Sequence, residues 1–277
     1  MSTKKFYYIV LALQLITLTV ILIHDVDFQT PITDEESESF RGTSAIIPIR
    51  GEIVVNAEDS LFPPSTISDQ TVPMIEKASE DPSIKSIILD INSWGGSSVA
   101  SDEIVRAIKA TNKTTVAWIR ESGTSAAYKI ASASDWIIAN ERSDVGSIGI
   151  ITQYEIYNVT YETIKSGKYK DILTDNRLLT DDERKIIQEQ TDLLHKIFVE
   201  DVATNRGMDP KAVEALANGL SWPGVAAKEL GLVDELGSKK EVIRYIRDQT
   251  GEEPILAYYN KETQAFDLQT AEDNGSD

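Results

Sequence analysis

Three short stretches of this chain carry residue types that could perform acyl-transfer chemistry. Gly-Thr-Ser-Ala-Ala-Tyr at 123–128 presents Ser125, and Ser-Gly-Lys-Tyr-Lys-Asp at 166–171 presents Lys170. Upstream, Asn-Ser-Trp-Gly-Gly at 92–96 offers backbone N–H groups beside a pair of glycines. A serine hydroxyl attacks a carbonyl effectively only when a base takes its proton. Histidine is scarce: His24 borders an apolar segment, and His195 falls in a long helical pattern. Cysteine is absent, which excludes a thiol nucleophile, a thiolate metal site and disulfides. Two distant histidines make a zinc or non-haem iron centre unexpected, although carboxylates could still take magnesium or calcium. No cofactor or metal is expected, and lysine is left as the base.

A free lysine, with a pKa of about 10.4, is protonated at neutral pH. Burial can lower that value by several units. Bringing it to about 8 costs roughly 3 kcal/mol, which a folded domain tolerates. The local sequence leaves choices open. Ser125 could be only a helix N-cap, the commonest use of serine at such a position. Lys170 stands near Lys165 and Lys168, as a surface lysine would. Lys129, four residues after Ser125, would share its helical face. The backbone N–H groups of Gly95 and Ala126 could cradle an oxyanion, but a strand-Gly-Gly-helix junction is also an ordinary tight turn.

These residues need a frame, and the apolar pattern supplies one. Ser44–Val54 reads as a strand or hairpin broken at Arg50-Gly51, followed by a helix over 67–79 with Val72, Ile75 and Ala78 inward. A strand at Ile84–Ile91 precedes a helix at 98–111 carrying Val99, Ile104, Val105 and Ile108. Then come a strand at Thr114–Ile119, a short helix at 125–133, a strand at Trp136–Ala139 and a β segment at Val145–Tyr154. Such alternation predicts an α/β fold with a largely parallel sheet, whose ligands gather at the carboxyl ends of strands. Thr180-Asp181-Asp182-Glu183 resembles a capping box opening a helix that runs to about Asn205. That helix suits packing or subunit contact better than catalysis. Helices near 210–217, 223–230 and 238–248 and a strand at 254–259 complete the pattern, with no internal repeat and no second-domain boundary.

The net charge of −18 argues against a nucleic-acid partner. Residues 6–23, FYYIVLALQLITLTVILI, carry no charge. At about 1.5 Å per residue they would make a helix of roughly 27 Å, close to a hydrocarbon core. Lys4 and Lys5 precede the run while Asp25 and Asp27 follow it, which places the N-terminus in the cytoplasm and the bulk outside. A cleaved secretory signal is the alternative, but the run is long for one and no small-x-small site follows. The expected organisation is a cytoplasmic stub and membrane anchor at 1–23, an acidic linker at 24–43, a folded domain at 44–260 and an acidic, disordered tail at 261–277.

Read in order, NSWGGSSVASDEIVRAIK, GTSAAYKIASASDWIIAN, VGSIGI, TIKSGKYKD and LGLVDELG resemble the signal peptide peptidase A family, the S49 serine peptidases. The resemblance spans about residues 44–250 and implies a Clp protease/crotonase-like fold of repeated β-β-α units with C-terminal helices. The family's Ser-Gly-Gly-Tyr motif falls on 125–128 and makes Ser125 the nucleophile. Its Ser-Gly-x-x-Lys-Asp motif falls on 166–171 and makes Lys170, not Lys129, the general base. Its Asn-Ser-Pro-Gly-Gly turn falls on 92–96, giving Gly95 as an oxyanion donor beside Ala126, and Gly-Ser-Ile-Gly falls on 146–149, so that Ser147 orients the Lys170 amine. The chain departs from the pattern at Trp94 for proline, at Ala126 and Ala127 for glycine, and at Lys129, where the family often has tyrosine. The resemblance implies a membrane-anchored endopeptidase acting on signal peptides or other unfolded peptides. It also implies a ring-like homo-oligomer in which serine and lysine meet across a protomer boundary. A catalytically weak scaffold that binds a membrane partner, such as a stomatin-like protein, is the alternative. An acyl-CoA enzyme of the same fold would be cytoplasmic, against the direction of the N-terminal segment.

Overall fold

The computed structural model describes residues 42–60, 63–157, 162–174, 177–260 and 265–268. The chain separates into two units between Phe40 and Arg41, and every described residue belongs to the second. The apolar segment at 6–23 and the acidic linker up to residue 41 lie outside the described residues. Among those described, no helix is long and apolar enough to cross a membrane.

Alternation of side chains along each strand sets the architecture. Strand β1 (Ser44–Val54) sends Ala45, Ile47 and Ile49 to one face of the sheet and Ile46 to the other. β2 (Ser65–Ile67) leads into helix α1 (Ser68–Glu80), and β3 (Ser86–Gly96) into α2 (Ser98–Ala110). β4 (Thr114–Thr124), α3 (Ala126–Ser132), β5 (Trp136–Ala139) and β6 (Asp144–Gly146) follow. Then come α4 (Asp181–Arg206), α5 (Pro210–Leu216), β7 (Ser221–Pro223), α6 (Gly224–Glu229) and β8 (Glu235–Leu236). α7 (Lys239–Thr250), β9 (Leu256–Asn260) and β10 (Ala265–Leu268) complete the described chain.

The main sheet runs β10-β9-β1-β3-β4-β5-β8, parallel except for β10. One face carries the larger core, where Ile47, Leu89, Ala117 and Ile137 meet Ile75 of α1, Ile104 and Ile108 of α2, and Tyr128 and Ile130 of α3. The other face is covered by α7, whose Val242 and Ile246 pack on Ile46, Ile88, Val116 and Ile138. Tyr128 is fully buried and its hydroxyl donates to the Leu232 carbonyl at 2.9 Å, which pins α3 to the chain entering β8.

The α/β reading holds, with local corrections. Arg50-Gly51 is a bulge inside one continuous β1, because Gly51 takes a φ of 56° and the pairing to β3 resumes at Glu52. β3 runs on through Asn92–Gly96, so this motif is the end of a strand rather than a turn after one. Val99 points outward, and Ala100, Ser101, Ile104 and Ile108 form the inner face of α2. The strand expected to reach Tyr154 stops at Gly146. There φ becomes 98°, then 49° at Ser147, and both the β4 and β7 pairings end at that residue. Ala265–Leu268, expected within a disordered tail, adds an antiparallel edge strand to β9.

α4 opens with the capping box that Thr180 and Glu183 announce. Beyond the buried Glu183, its first half is only partly covered among the described residues: Leu193, Leu194 and Ile197 are exposed, and the apolar residues buried in it start at Phe198.

Candidate active site

Strand register brings the sequence motifs together. Ser93 of β3 pairs with Gly123 of β4, Gly123 pairs with Val145 of β6, and Thr124 pairs with Gly146. The corners at 92–96, 122–125 and 144–147 therefore sit side by side at the carboxyl end of the sheet. The Ser125 N–H donates to the Gly146 carbonyl at 2.7 Å, which locks the second corner to the third.

Ser125 stands at the N-cap position of α3, yet its side chain caps nothing. Its backbone takes φ 54° and ψ −126°, a conformation that costs a non-glycine residue of order 1–3 kcal/mol. Capping explains neither the residue nor the strain. The Oγ makes no hydrogen bond with any described residue and is left to face a cavity of about 120 Å³.

Gly95 lies directly against this corner. A Cβ there would sit 2.8 Å from Ser125 Cβ and 2.9 Å from the Ala126 nitrogen, at a φ of 109°. Only glycine lets the β3 end approach so closely. The Gly95 N–H donates at 3.1 Å to Ser93 Oγ, whose own proton goes to the Gly51 carbonyl at 2.5 Å. Ser93 was not anticipated from sequence, where nothing marks it apart from other buried serines. Ala126 opens α3, and a first-turn N–H has no intrahelical acceptor. Trp94, between the buried Ser93 and Gly95, is itself exposed.

The structure divides the lysines. Lys129 shares the cavity with Ser125, as the spacing of four residues requires, and is almost wholly buried. Its ammonium lies 2.7 Å from Asp201 of α4 and 3.5 Å from Asp102 of α2. Both ion-pair partners come from other helices and hold this amine in place. Asp201 is far from Lys129 in sequence, so no local pattern foretold the pairing.

Lys170 lies on an exposed turn, where its N–H donates to the Gly167 carbonyl at 3.2 Å. It does not line the Ser125 cavity. Its amine has no hydrogen-bond or ion-pair partner among the described residues. The turn is anchored by charge: Asp171 pairs with Lys165 and, at 3.3 Å, with Arg177, which in turn binds the buried Glu183 at 2.8 Å. Lys165 holds the Asp171 carboxyl below the usual carboxylate range. Arg177, then the backbone at Thr180, lowers Glu183 from 4.5 to about 2.

Ser147 adjoins Gly146, and so lies next to the carbonyl that holds Ser125. Its hydroxyl donates to the Gly219 carbonyl at 3.0 Å, leaving the oxygen lone pairs able to accept from an amine. Within one chain, then, the structure gathers Ser125, Ala126, Gly95 and Ser147 and leaves Lys170 outside.

A larger cleft of about 750 Å³ lies at Arg50, Asn92, Trp118, Arg120 and Arg142. Its serines are engaged: Ser143 donates to the Arg120 carbonyl and Ser238 forms the α7 capping box. It offers no free nucleophile, so the smaller cavity is the candidate for chemistry.

Known proteins match this sequence. The sequence profile of Peptidase family S49 matches residues 107–252. A putative signal peptide peptidase SppA of Enterococcus faecium is 30% identical over 247 residues, covering 84% of this chain and 72% of that protein. Putative protease MJ0651 of Methanocaldococcus jannaschii is 29% identical over 254 residues, covering 87% and 81%. Protease 4 of Haemophilus influenzae is 30% identical over 235 residues, which span 80% of this chain but 37% of that protein. With the profile covering more than half of its length, and the Enterococcus faecium relative matched over most of both proteins, this chain belongs to peptidase family S49.

Proposed function

We propose that this S49 member is a membrane-anchored serine endopeptidase whose nucleophile and base come from neighbouring copies of the chain. Ser125 Oγ attacks the peptide carbonyl while the neutral amine of a neighbour's Lys170 takes its proton. The tetrahedral oxyanion is received by the N–H of Ala126 and by that of Gly95, which turns to it from its 3.1 Å bond to Ser93 Oγ. The proton then passes to the leaving amine, and water, activated by the same lysine, hydrolyses the acyl-enzyme. Ser147 accepts a hydrogen bond from the lysine amine and aims it. Signal peptides and other unfolded segments released near the membrane are the substrates this reading favours, as the Enterococcus faecium relative's name suggests.

The supporting observation is the division of the lysines. Lys129 is beside Ser125 but held by Asp201 and Asp102, whereas Lys170 is free, exposed and outside the cavity. A lysine base must also lose its water, and packing of a second copy over the Lys170 turn supplies that desolvation. Exposed Leu193, Leu194 and Ile197 on α4 provide apolar surface for such packing.

Hydrolysis of signal peptides or casein by Ser125→Ala, Lys170→Ala and Lys129→Ala, alongside fluorophosphonate labelling, tests the assignment. The first two variants should lose activity and the third should keep part of it. Abolition by Lys129→Ala with Lys170→Ala still active would overturn the assignment, and absence of labelling in the assembled wild type would favour a scaffold.

A further inference from the structure

The Ser125 cavity has mainly apolar walls, with hydroxyls from Ser98 and Ser101 and one charged residue. Ala126, Ile150, Leu194, Ile197 and Phe198 contribute hydrocarbon, and Lys129 contributes an ammonium. Asp102 and Asp201, which pair with that ammonium, do not line the cavity, so Lys129 stands between them and any substrate. The two carboxylates are not equally served. Asp102 also binds Arg106 at 2.6 Å, whereas Asp201 has no other ion pair among the described residues. Asp201 Oδ2 is buried and, despite the 2.7 Å contact, makes no directed hydrogen bond. It is a buried acceptor holding a charge partner at a poor angle.

The geometry points to Lys129 as a built-in counter-ion that occupies a cation site at the end of the substrate cavity and thereby excludes basic side chains. This rests on Ser125 being the nucleophile, since only then does a substrate side chain enter here. With Lys129 in place, an incoming lysine or arginine would bring a second cation against the first, while aliphatic side chains meet the walls at no such cost. Truncate Lys129 to alanine, and the space vacated is that of three methylenes and an ammonium, open to the cavity, which takes any further carbon, and ending on Asp201 and Asp102. A substrate lysine or a free alkylammonium ion fits that description. Lys129 is thus a specificity-determining residue, and the site behind it is a latent receptor for primary ammonium groups.

Two measurements on the full chain decide the matter. In the first, thermal melting of wild type and Lys129→Ala is followed with n-butylammonium chloride or sodium chloride at equal ionic strength. Butylammonium should raise the variant's midpoint by about 3 °C or more relative to sodium, and leave wild type unchanged. Adding Asp102→Asn and Asp201→Asn to Lys129→Ala should abolish the rise. In the second, kcat/KM is compared for peptides differing only in leucine or lysine next to the scissile bond. The lysine-to-leucine ratio should climb at least about tenfold in Lys129→Ala. No rise in midpoint, or an unmoved ratio while both peptides are cleaved, overturns the inference. If neither protein cleaves any peptide, the peptidase reading has failed, and butylammonium alone decides whether the cation site exists. Lys129→Ser gives the same readouts if the alanine variant does not fold.

Discussion

If Ser125 and Lys170 must come from different copies, two inactive variants should restore each other. Ser125→Ala chains keep the base and Lys170→Ala chains keep the nucleophile, and neither alone can assemble a working pair. When the two are unfolded, mixed in equal amounts and reassembled, a site works only if a chain with Ser125 has a neighbour with Lys170 on the correct side. Each condition is met half the time, so about a quarter of sites should be competent in a closed ring with one interface type. Varying the mixing ratio should trace the product of the two mole fractions, with its maximum at equal amounts. Fluorogenic peptide hydrolysis reads the rate, and fluorophosphonate labelling counts the activated serines. A mixture no more active than its parents at every ratio would refute the shared site. Activity in Lys170→Ala alone would refute the base assignment and return attention to Lys129, despite its contacts with Asp201 and Asp102.

Other outcomes follow from the same geometry. Ser125→Gly should abolish hydrolysis yet stabilise the fold by about 1 kcal/mol, seen as a rise of roughly 2 °C in melting midpoint, because glycine accepts the strained backbone. Gly95→Ala places a methyl 2.8 Å from Ser125 Cβ, so labelling and hydrolysis should fall at least about a hundredfold while the circular dichroism spectrum stays native. Glu183 has its carboxyl lowered in the fold from 4.5 to about 2, so its stabilising contribution is complete above about pH 4.5 and disappears as the pH falls towards 2. The difference in melting midpoint between wild type and Glu183→Gln should therefore be constant at neutral pH and close across that acid window.

What the sequence made legible was the order of elements, because Ile46 to Ile49 and Ile87 to Ile91 are near-continuous apolar runs, as in strands covered on both faces, and Thr180 and Glu183 announce a helix start. It was less able to show where strands end. β3 and β4 run past their apolar stretches, through Asn92–Gly96 and Arg120–Thr124, since ladder pairing and not burial of apolar side chains extends them. The failure at Val145–Tyr154 has the opposite cause: residues with β propensity lack a partner strand once Gly146 and Ser147 turn the backbone. For the site, Ser125 and Gly95 could be named from motif and spacing, but the competition between Lys129 and Lys170 could not be judged. That judgement needed Asp201, which reaches Lys129 only through the packing of α4 on α3.

The exposed position of Lys170 has a consequence for the life of the chain. If Lys170 serves the Ser125 of a neighbour, a newly made copy carries a nucleophile with no acceptor for its proton, and so is half of a catalyst. Proteolysis would then switch on with encounter between copies and off with dilution. On that reading single molecules would be inert, and hydrolysis would begin only where they accumulate.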